Sequence, residues 1–468
     1  MEVNNYPLVS IVTVNYNGKR FLTNLFNSIR DLDYPSDRIQ TILVDNSSID
    51  GSTELVRQKF PWVDILSLDK NYGYAGGNNA GFKRSEGEYI ALVNNDCIVN
   101  KGWLKRMVET AIIEDTSSKI GAVCSKVLFY YDYIPVRFDF ENNSGKVYLE
   151  INRITADGIP GDNKGFLGYI KLLDGFSRST VSDYTRGSSL NVSPGARMAL
   201  PVLEHSDHIL VECSLSSGEE TNLGIMIDNF STEKSHWEGP AVELFNGLIG
   251  ADNKIVNLKI DKNYHAFKKS LINSCGLEVN EKFYARDRGS NSWDENQFDR
   301  VEEVFSPSGS SLLVNRKMLE ETGYFDDSFF TYYEDIDLFW RARLGGWKHY
   351  FSPYSVARHH HCGTGEEWSY SFSYHVIRNR LLAIFKCGWF TKFTGCYFAF
   401  VVSVFSNTFF YTLSFIRGRV QNRPDIRARL RVFFELFYLL PKNLIKRSRI
   451  RSNTSISDRE IKKWTLDF

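Results

Sequence analysis

The first 130 residues alternate between two hydrophobic rhythms. Apolar, often β-branched runs at 9–15, 40–44, 65–68, 89–93 and 120–127 read as strands. Between them, 21–32, 53–60 and 101–114 carry apolar residues at helical spacing, and a short helix is expected near 81–85. Such alternation predicts an α/β fold, a mainly parallel sheet with helices on both faces. Near-continuous apolar strands agree with burial on both sides. The texture changes near Tyr133. Short alternating runs at 146–151, 199–203, 209–215, 223–227 and 254–260, with turn residues between them, predict an inserted all-β, sandwich-like domain. The α/β pattern returns with 308–314 and 316–322, and helical spacing dominates after 370.

The chain has 468 residues, enough for two or three domains. The pattern divides it into a first α/β half (1–132), the β-rich insert (133–270), a second α/β half (271–374) and a helical tail (375–468).

Charge sharpens the reading of the tail. Net charge is zero, but 375–451 hold 15 Lys and Arg against two acids. An acidic body with a basic tail calls for an anionic partner. Residues 395–416 are 22 uncharged residues, long enough to cross a membrane. Ser403, Ser406, Asn407, Thr408, Thr412 and Ser414 weaken that reading. A second apolar patch, VFFELFYLL, precedes Pro441 and a basic cluster. Apolar helices with basic flanks suit attachment to the surface of an anionic membrane, in preference to a span or a buried core helix. The same apolar runs argue against nucleic acid.

Seven scattered cysteines, odd in number and with no C-x-x-C pair, indicate neither a disulfide framework nor a cysteine zinc site and are read as a sign of a reducing compartment. MEVNNYPLVS has neither the basic nor the apolar region of a signal peptide. The expected place is therefore cytoplasmic, peripheral on the inner face of the cell membrane.

The candidate chemistry sits where strands end. Three strands run into Asn15-Tyr16-Asn17, Asp45-Asn46-Ser47-Ser48 and Asn94-Asn95-Asp96, and a fourth into a loop from Asp69 to Gly81 rich in Gly and Asn. One such ending could be a helix cap. Four in succession point to a shared ligand cleft at the carboxyl edge of the sheet. The Gly-rich loop is not G-x-G-x-x-G and follows the third strand, which argues against a dinucleotide site, and there is no P-loop. A strand-end carboxylate among oxygen donors can hold Mg2+ or Mn2+ on a diphosphate, and Asp96 is the candidate.

The segments VSIVTVNYNG, ILVDNSSIDGS, NYGYAGGNNAGF and YIALVNNDCIV resemble the nucleotide-sugar half of family 2 glycosyltransferases with a GT-A fold. SPSGSSLLVNRKMLEETGYFDDSFFTYYEDIDLFWRARLGGW and HHHCGTG resemble their acceptor half. Together they are similar to the rhamnosyltransferase-like and galactofuranosyltransferase-like branch, over about 1–130 and 270–380. The resemblance implies a nucleotide-sugar donor, dTDP-rhamnose or a UDP-sugar, and a lipid-linked or polysaccharide glycan acceptor. It implies that Asp45 meets the nucleobase or ribose, with Asn15 and Asn17 nearby. The loop with Asn71, Gly73, Asn78 and Asn79 would clasp the nucleoside. Asn94, Asn95 and Asp96 match a D-x-D-like motif whose first carboxylate is Asn94 here.

YYEDIDLFWRARLGGW places Glu334, Asp335 and Asp337 at the start of a helix, where acids also favour the helix dipole. Inverting sugar transfer needs a carboxylate to take the acceptor hydroxyl proton. The resemblance assigns that role to the second acid of the pair, Asp335, with Glu334 orienting the acceptor and its charge raising the pKa of its neighbour. Asp337, Arg378 and Arg380 are candidates for acceptor or phosphate contact. Of three consecutive histidines, the resemblance selects His360 as a metal ligand, with His359 and His361 as alternatives. The insert could bind glycan, mediate a homo-oligomer or cover the cleft. The rival reading is a non-catalytic glycan-binding or scaffold protein that keeps the fold.

Overall fold

The structure is a computed structural model that describes residues 6–113, 119–140, 149–156, 170–178, 190–203, 208–215, 220–227, 242–252, 254–260, 262–360, 369–417 and 424–468. It divides into two compact units. One comprises Met1–Tyr130, Ile272–Ser290 and Phe298–Phe468; the other comprises Tyr131–Leu271 and Asn291–Gln297.

The first unit opens with β1 (Val9–Asn15), α1 (Lys19–Arg30), β2 (Ile39–Asp45), α2 (Ser52–Lys59), β3 (Asp64–Ser67), α3 (Gly73–Arg84), β4 (Tyr89–Val93), β5 (Cys97–Val99), α4 (Trp103–Ile113) and β6 (Ile120–Phe140). Helix α3 starts well before the short helix expected near 81–85. Its glycines are poor helix formers, but they let it lie against the sheet. A Cβ on Gly77 or Gly81 would come within 2.7 Å of Val14 or 2.4 Å of Val12. Close packing on β1 outweighs propensity.

The second unit holds β7 (Leu149–Ala156), β8 (Lys171–Arg178), β9 (Leu190–Pro201), β10 (His208–Leu215), β11 (Thr221–Ile227), β12 (Val242–Ile249) and β13 (Lys254–Lys259). Its pairings are antiparallel throughout, with β9 reaching both the distal part of β6 and β7. Alternate residues such as Val136, Phe138, Ile209, Val211, Leu223 and Ile225 turn into one apolar core.

The chain returns to the first unit through β14 (Lys269–Ser274), β15 (Leu277–Asn280), β16 (Ala285–Asp287) and β17 (Glu302–Glu303). Then follow β18 (Ser311–Asn315), α5 (Arg316–Thr322), α6 (Glu334–Leu344), β19 (Lys348–His359), α7 (Tyr370–Cys387), α8 (Phe390–Ile416), α9 (Pro424–Ser452), α10 (Asp458–Lys462) and β20 (Thr465–Leu466). The order β3-β2-β1-β4-β18-β6-β19 is parallel except at β18, which lies antiparallel between β4 and β6. One face packs Ile11, Leu43 and Ala91 against Leu22, Phe26 and Trp103; the other packs Val12, Val44 and Leu92 against Phe82, Leu338 and Phe339. The fold class is that of the GT-A resemblance.

Helix α7 does not belong with an amphipathic tail. Leu381, Leu382 and Ile384 are fully buried in the core that also takes Trp340 of α6.

Candidate active site

Sheet register assembles the site. Asn15 lies opposite Asp45 in the β1–β2 pair. Val93 lies opposite Ser311, and Cys97 opposite His359. The carboxyl ends of β1, β2 and β4, the start of β18 and the end of β19 therefore share one edge.

On the β1–β2 side the polar groups bind one another. Asn95 Nδ2 donates to Asn15 Oδ1 at 2.8 Å, and Asn15 Nδ2 to Ser48 Oγ at 3.1 Å. Asp45 is buried and accepts from the Ser48 amide at 3.0 Å. Asn17 is exposed in a left-handed conformation (φ 53°), and its Oδ1 accepts from the Ile49 amide. Gly18 must be small, because a Cβ there would meet Asn95 Nδ2 at 2.1 Å.

The Gly-rich segment is pinned rather than open. Asn71 Oδ1 accepts from the Gly73 amide at 2.8 Å, and Gly73 sits at φ 72° with no room for a Cβ beside the Phe330 carbonyl. Asn46 Nδ2 donates to the Gly73 carbonyl at 2.9 Å. Asn78 donates to its own helix at Tyr74. Asn79 holds the Phe325 carbonyl and amide and the Asp327 carboxylate. Asn78 and Asn79 are buried; their side chains hold protein.

Asp96 is buried next to an imidazole, and that imidazole belongs to His359. His359 Nε2 lies 3.1 Å from Asp96 Oδ1, and its Nδ1 lies 2.8 Å from Asn273 Oδ1. The ring of His360 instead stacks on Tyr130 with centroids 3.5 Å apart, and its backbone amide donates to the Asp96 carbonyl. This corrects the choice of His360: strand neighbours point to opposite faces, and the β5–β19 register turns His359 toward Asp96. His361 lies outside the described residues. Burial raises the Asp96 pKa, but the charge and hydrogen bond of His359 and the charge of His360 outweigh it and hold the carboxyl below its ordinary value.

The residues at Asp96 fit a divalent cation. Two cis ligands of an octahedral ion at about 2.1 Å lie about 3 Å apart, and the Asp96–His359 contact has that span. The bond to Asn273 leaves Nε2 aimed at the carboxylate when Nδ1 carries the proton. The Cys97 thiol falls in the same cluster, but burial pushes its pKa well up, so it stays a neutral thiol and a poor ligand. Asn94 reaches His359 Nε2 at 3.4 Å and supplies no charge.

The second pair of carboxylates is reached through two small residues. The Ser310 carbonyl accepts from the Asn94 amide, and the adjacent Gly309 amide donates to Asp335 Oδ2 at 3.1 Å. Tyr74 Oη, from α3, donates to the Gly309 carbonyl. Asp335 is half-buried, and its Oδ1 accepts from the Ile336 amide. Burial raises its pKa to about 6, with a further push from the charge of Asp287, against the two backbone donors. Glu334 is buried, Oε2 makes no hydrogen bond, and burial followed by the charge of Asp335 raises its pKa well above the carboxylate range. The charge of Asp335 adds to burial at Glu334, as expected of two neighbouring acids. Both acids of the pair are thus pushed toward the protonated form, with burial the main cause in each.

The loop before this pair is strained. Phe330, Tyr332 and Tyr333 have φ of 63°, 65° and 66°, a region costly for aromatic residues. Fully buried Asn379 of α7 donates to the carbonyls of Phe329, Thr331 and Tyr332 at 2.8–2.9 Å. Lys386 is buried between Asp326 (2.6 Å) and Asp337 (2.7 Å), and Lys446 of α9 also pairs with Asp326.

Three residues expected on the acceptor or phosphate side are absorbed by this support. Asp337 is fully buried and paired with Arg341 and Lys386. Arg378 donates to the Ser328 carbonyl, and Arg380 to that of Lys282, stacked on Tyr284. Both side chains are buried and cap backbone carbonyls. Sequence reasoning passed over His359 as first choice, Asn273, Tyr74, Gly309 and Asn379. The run of small residues SPSGSS was the available signal for Gly309; nothing local marks Asn273 or Asn379.

Comparison with known proteins agrees with the arrangement of the first half. Residues 10–166 match the family model Glycosyl transferase family 2. Glycosyltransferase AglE of Haloferax volcanii is 31% identical over 107 residues, 22% of this chain and 35% of that protein. The poly(ribitol-phosphate) beta-N-acetylglucosaminyltransferase TarS of Staphylococcus aureus is 31% identical over 100 residues, 20% of this chain and 17% of TarS. The chain thus spans well under half the length of these relatives. Among solved structures, the mannosyltransferase PcManGT of Pyrobaculum calidifontis, in complex with GDP-Man and Mn2+, aligns over 98% of this chain and 79% of its own, at 11% identity and TM-score 0.38. TarS 1-349 in complex with UDP aligns over 81% of this chain and 66% of its own, at 14% identity and TM-score 0.35.

Proposed function

We propose that the chain is an inverting glycosyltransferase. It moves a sugar from a nucleotide-sugar donor to a hydroxyl of a polysaccharide or lipid-linked glycan. One observation carries the reading: the Gly309–Ser310 segment joins a metal-type pair, Asp96 and His359, to a carboxylate of raised pKa, Asp335. Leaving-group and base chemistry then meet at one sheet edge.

Asp335 takes the acceptor hydroxyl proton as that oxygen bonds to the anomeric carbon. The bond from this carbon to the diphosphate breaks with its electron pair, and the nucleoside diphosphate leaves. A single displacement inverts the carbon and needs no covalent intermediate. Asp96 and His359 would hold a divalent cation, Mn2+ or Mg2+, which supplies charge stabilisation to the departing diphosphate. Glu334 orients the acceptor. Asn15, Asn17 and Asp45 face the nucleoside, with Asn94 and Asn95 toward the diphosphate; the pinned loop of Asn71, Gly73, Asn78 and Asn79 shapes that wall. That AglE is a glycosyltransferase and TarS a poly(ribitol-phosphate) beta-N-acetylglucosaminyltransferase supports a sugar donor, and a dTDP- or UDP-sugar is the first choice.

The test is a thermal-shift panel of UDP, dTDP, GDP and CDP with and without Mn2+ or Mg2+, followed by turnover with the matching sugar nucleotide. Binding to the native state raises apparent stability by about 2.7 kcal/mol at a hundredfold excess over Kd. A metal-dependent shift with one nucleotide supports the reading. Absence of any shift on folded protein would return the chain to a glycan-binding or scaffold role, which the missing carboxylate at Asn94 favours.

A further inference from the structure

We propose that α8 and α9 together present an aromatic face that lies in the interfacial layer of an anionic bilayer without crossing it. This stands apart from the catalytic reading, because none of its residues belongs to the active site.

Each helix is apolar on two sides. On α8, Phe393, Cys396, Phe400 and Val404 are buried in the core shared with Trp340 and Leu381. Its opposite side exposes Phe398, Val402, Phe405 and Phe409, again at helical spacing, with Phe398 at 70%. On α9, Ala428, Val432 and Leu436 face in, while Phe434, Phe437, Leu444 and Ile445 face out, with Ile445 at 79%. A surface helix of a soluble protein carries polar residues at such positions, and exposed apolar groups on this scale mark an interaction surface.

Charge identifies the occupant. The two helices carry nine Lys and Arg against two acids, Asp425 and Glu435. Arg427, Arg431, Lys442 and Arg449 are exposed on α9, and Lys442 lies 5.3 Å from the Tyr438 ring centroid. Aromatic side chains bordered by cations match the boundary between acyl chains and anionic headgroups. A second copy of the chain fits poorly, because a twofold contact would set these like charges against each other.

Crossing is opposed by how the pair is held. The stretch Phe390–Leu413 is long and apolar enough to span, but Phe400 and Val404 within it are core residues. Helix α9 is tied down by Arg447, which donates to the Gly388 carbonyl at 2.8 Å, and by Lys446, which bonds Asp326 at 2.8 Å. Insertion of α8 across a bilayer would strip Phe400 and Val404 from the core.

The experiment is flotation of the full chain with vesicles of phosphatidylcholine alone or of equal parts phosphatidylcholine and phosphatidylglycerol. We expect binding to the anionic vesicles, at least about tenfold weaker binding to neutral ones, and release by alkaline carbonate. The variant Phe398→Ser/Phe434→Ser/Phe437→Ser should lose about tenfold or more of the binding, with its circular dichroism and melting temperature unchanged. A second variant, Arg427→Gln/Lys442→Gln/Arg449→Gln, should lose the preference for phosphatidylglycerol. Absence of flotation with either vesicle overturns the proposal. So does a stable dimer in solution that the phenylalanine variant dissociates, which would give the face to a second copy. Resistance to carbonate extraction would mark a crossing helix and overturn it as well.

Discussion

Asp96 and Asp335 occupy two regions of one sheet edge, and their surroundings drive them in opposite directions. Around Asp96, an imidazole at 3.1 Å outweighs burial, and the group stays a carboxylate. Around Asp335, two backbone donors do not offset burial and the charge of Asp287, and the pKa climbs to about 6. The same side chain is thus held as a carboxylate beside an imidazole in one place and pushed toward protonation in the other, the two behaviours that the proposed metal and base roles require. Residue type nominates both; the neighbours set the division of labour.

The largest expected effect breaks the comparison outright. Asp335→Asn should reduce transfer by about a thousandfold, within the range of lost general-base catalysis, while nucleotide and metal binding by calorimetry stay within about threefold of the parent. Asp96→Asn should lose transfer and metal binding together. Equal loss of metal binding in both variants would dissolve the distinction.

A smaller effect separates the histidines. His359→Ala should weaken Mn2+ binding by about 10- to 100-fold, and Asn273→Ala by about tenfold, as for an outer partner of a ligand. His360→Ala should change it by less than about threefold. Titration of Mn2+ followed by electron paramagnetic resonance would read all three, and a dominant effect at His360 would reinstate the sequence-based choice.

The support behind Asp335 comes next. Asn379→Ala removes the amide that holds three backbone carbonyls and should cost about 2–4 kcal/mol of stability. In the surviving folded protein kcat should fall, because the loop leads into Asp335, and KM for the donor should rise as well, because the Phe330 carbonyl packs on Gly73 of the pinned loop and accepts from the Ala75 amide.

A pH signature completes the comparison. Transfer should fall about tenfold per unit as pH drops below about 6, where Asp335 gains its proton. Stability runs the other way. A carboxyl raised from 3.8 to about 6 in the folded state is a penalty that develops between those values and is complete above about 6. Asp335→Asn should therefore raise stability by up to about 3 kcal/mol at pH 8, with the gain gone below about pH 4. Denaturant melts at the two pH values would read it.

Much of this edge was legible along the chain. Near-continuous apolar runs located β1, β2 and β4, and the 3.6-residue period located α1 and α2. Polar residues ending apolar strands marked Asn15, Asp45 and Asp96, because only the sheet edge can keep such groups near a ligand. The pair Glu334 and Asp335 was visible as acids before an apolar helix. What misled was local charge. Arg378, Arg380 and Asp337 read as site residues, yet they are buried against carbonyls and counter-ions contributed by segments far away in sequence.

The sequence by itself determined the alternation of elements, the inserted β domain, the strand-end acids and the basic, aromatic character of the C-terminal helices. Those are properties of composition and period, written residue by residue. Only the tertiary structure decided which histidine meets Asp96, that both acids of the pair are pushed up by burial, and which side of α8 and α9 faces outward. Each depends on register and burial, set by contacts between segments up to hundreds of residues apart, and a lone stretch of sequence contains neither.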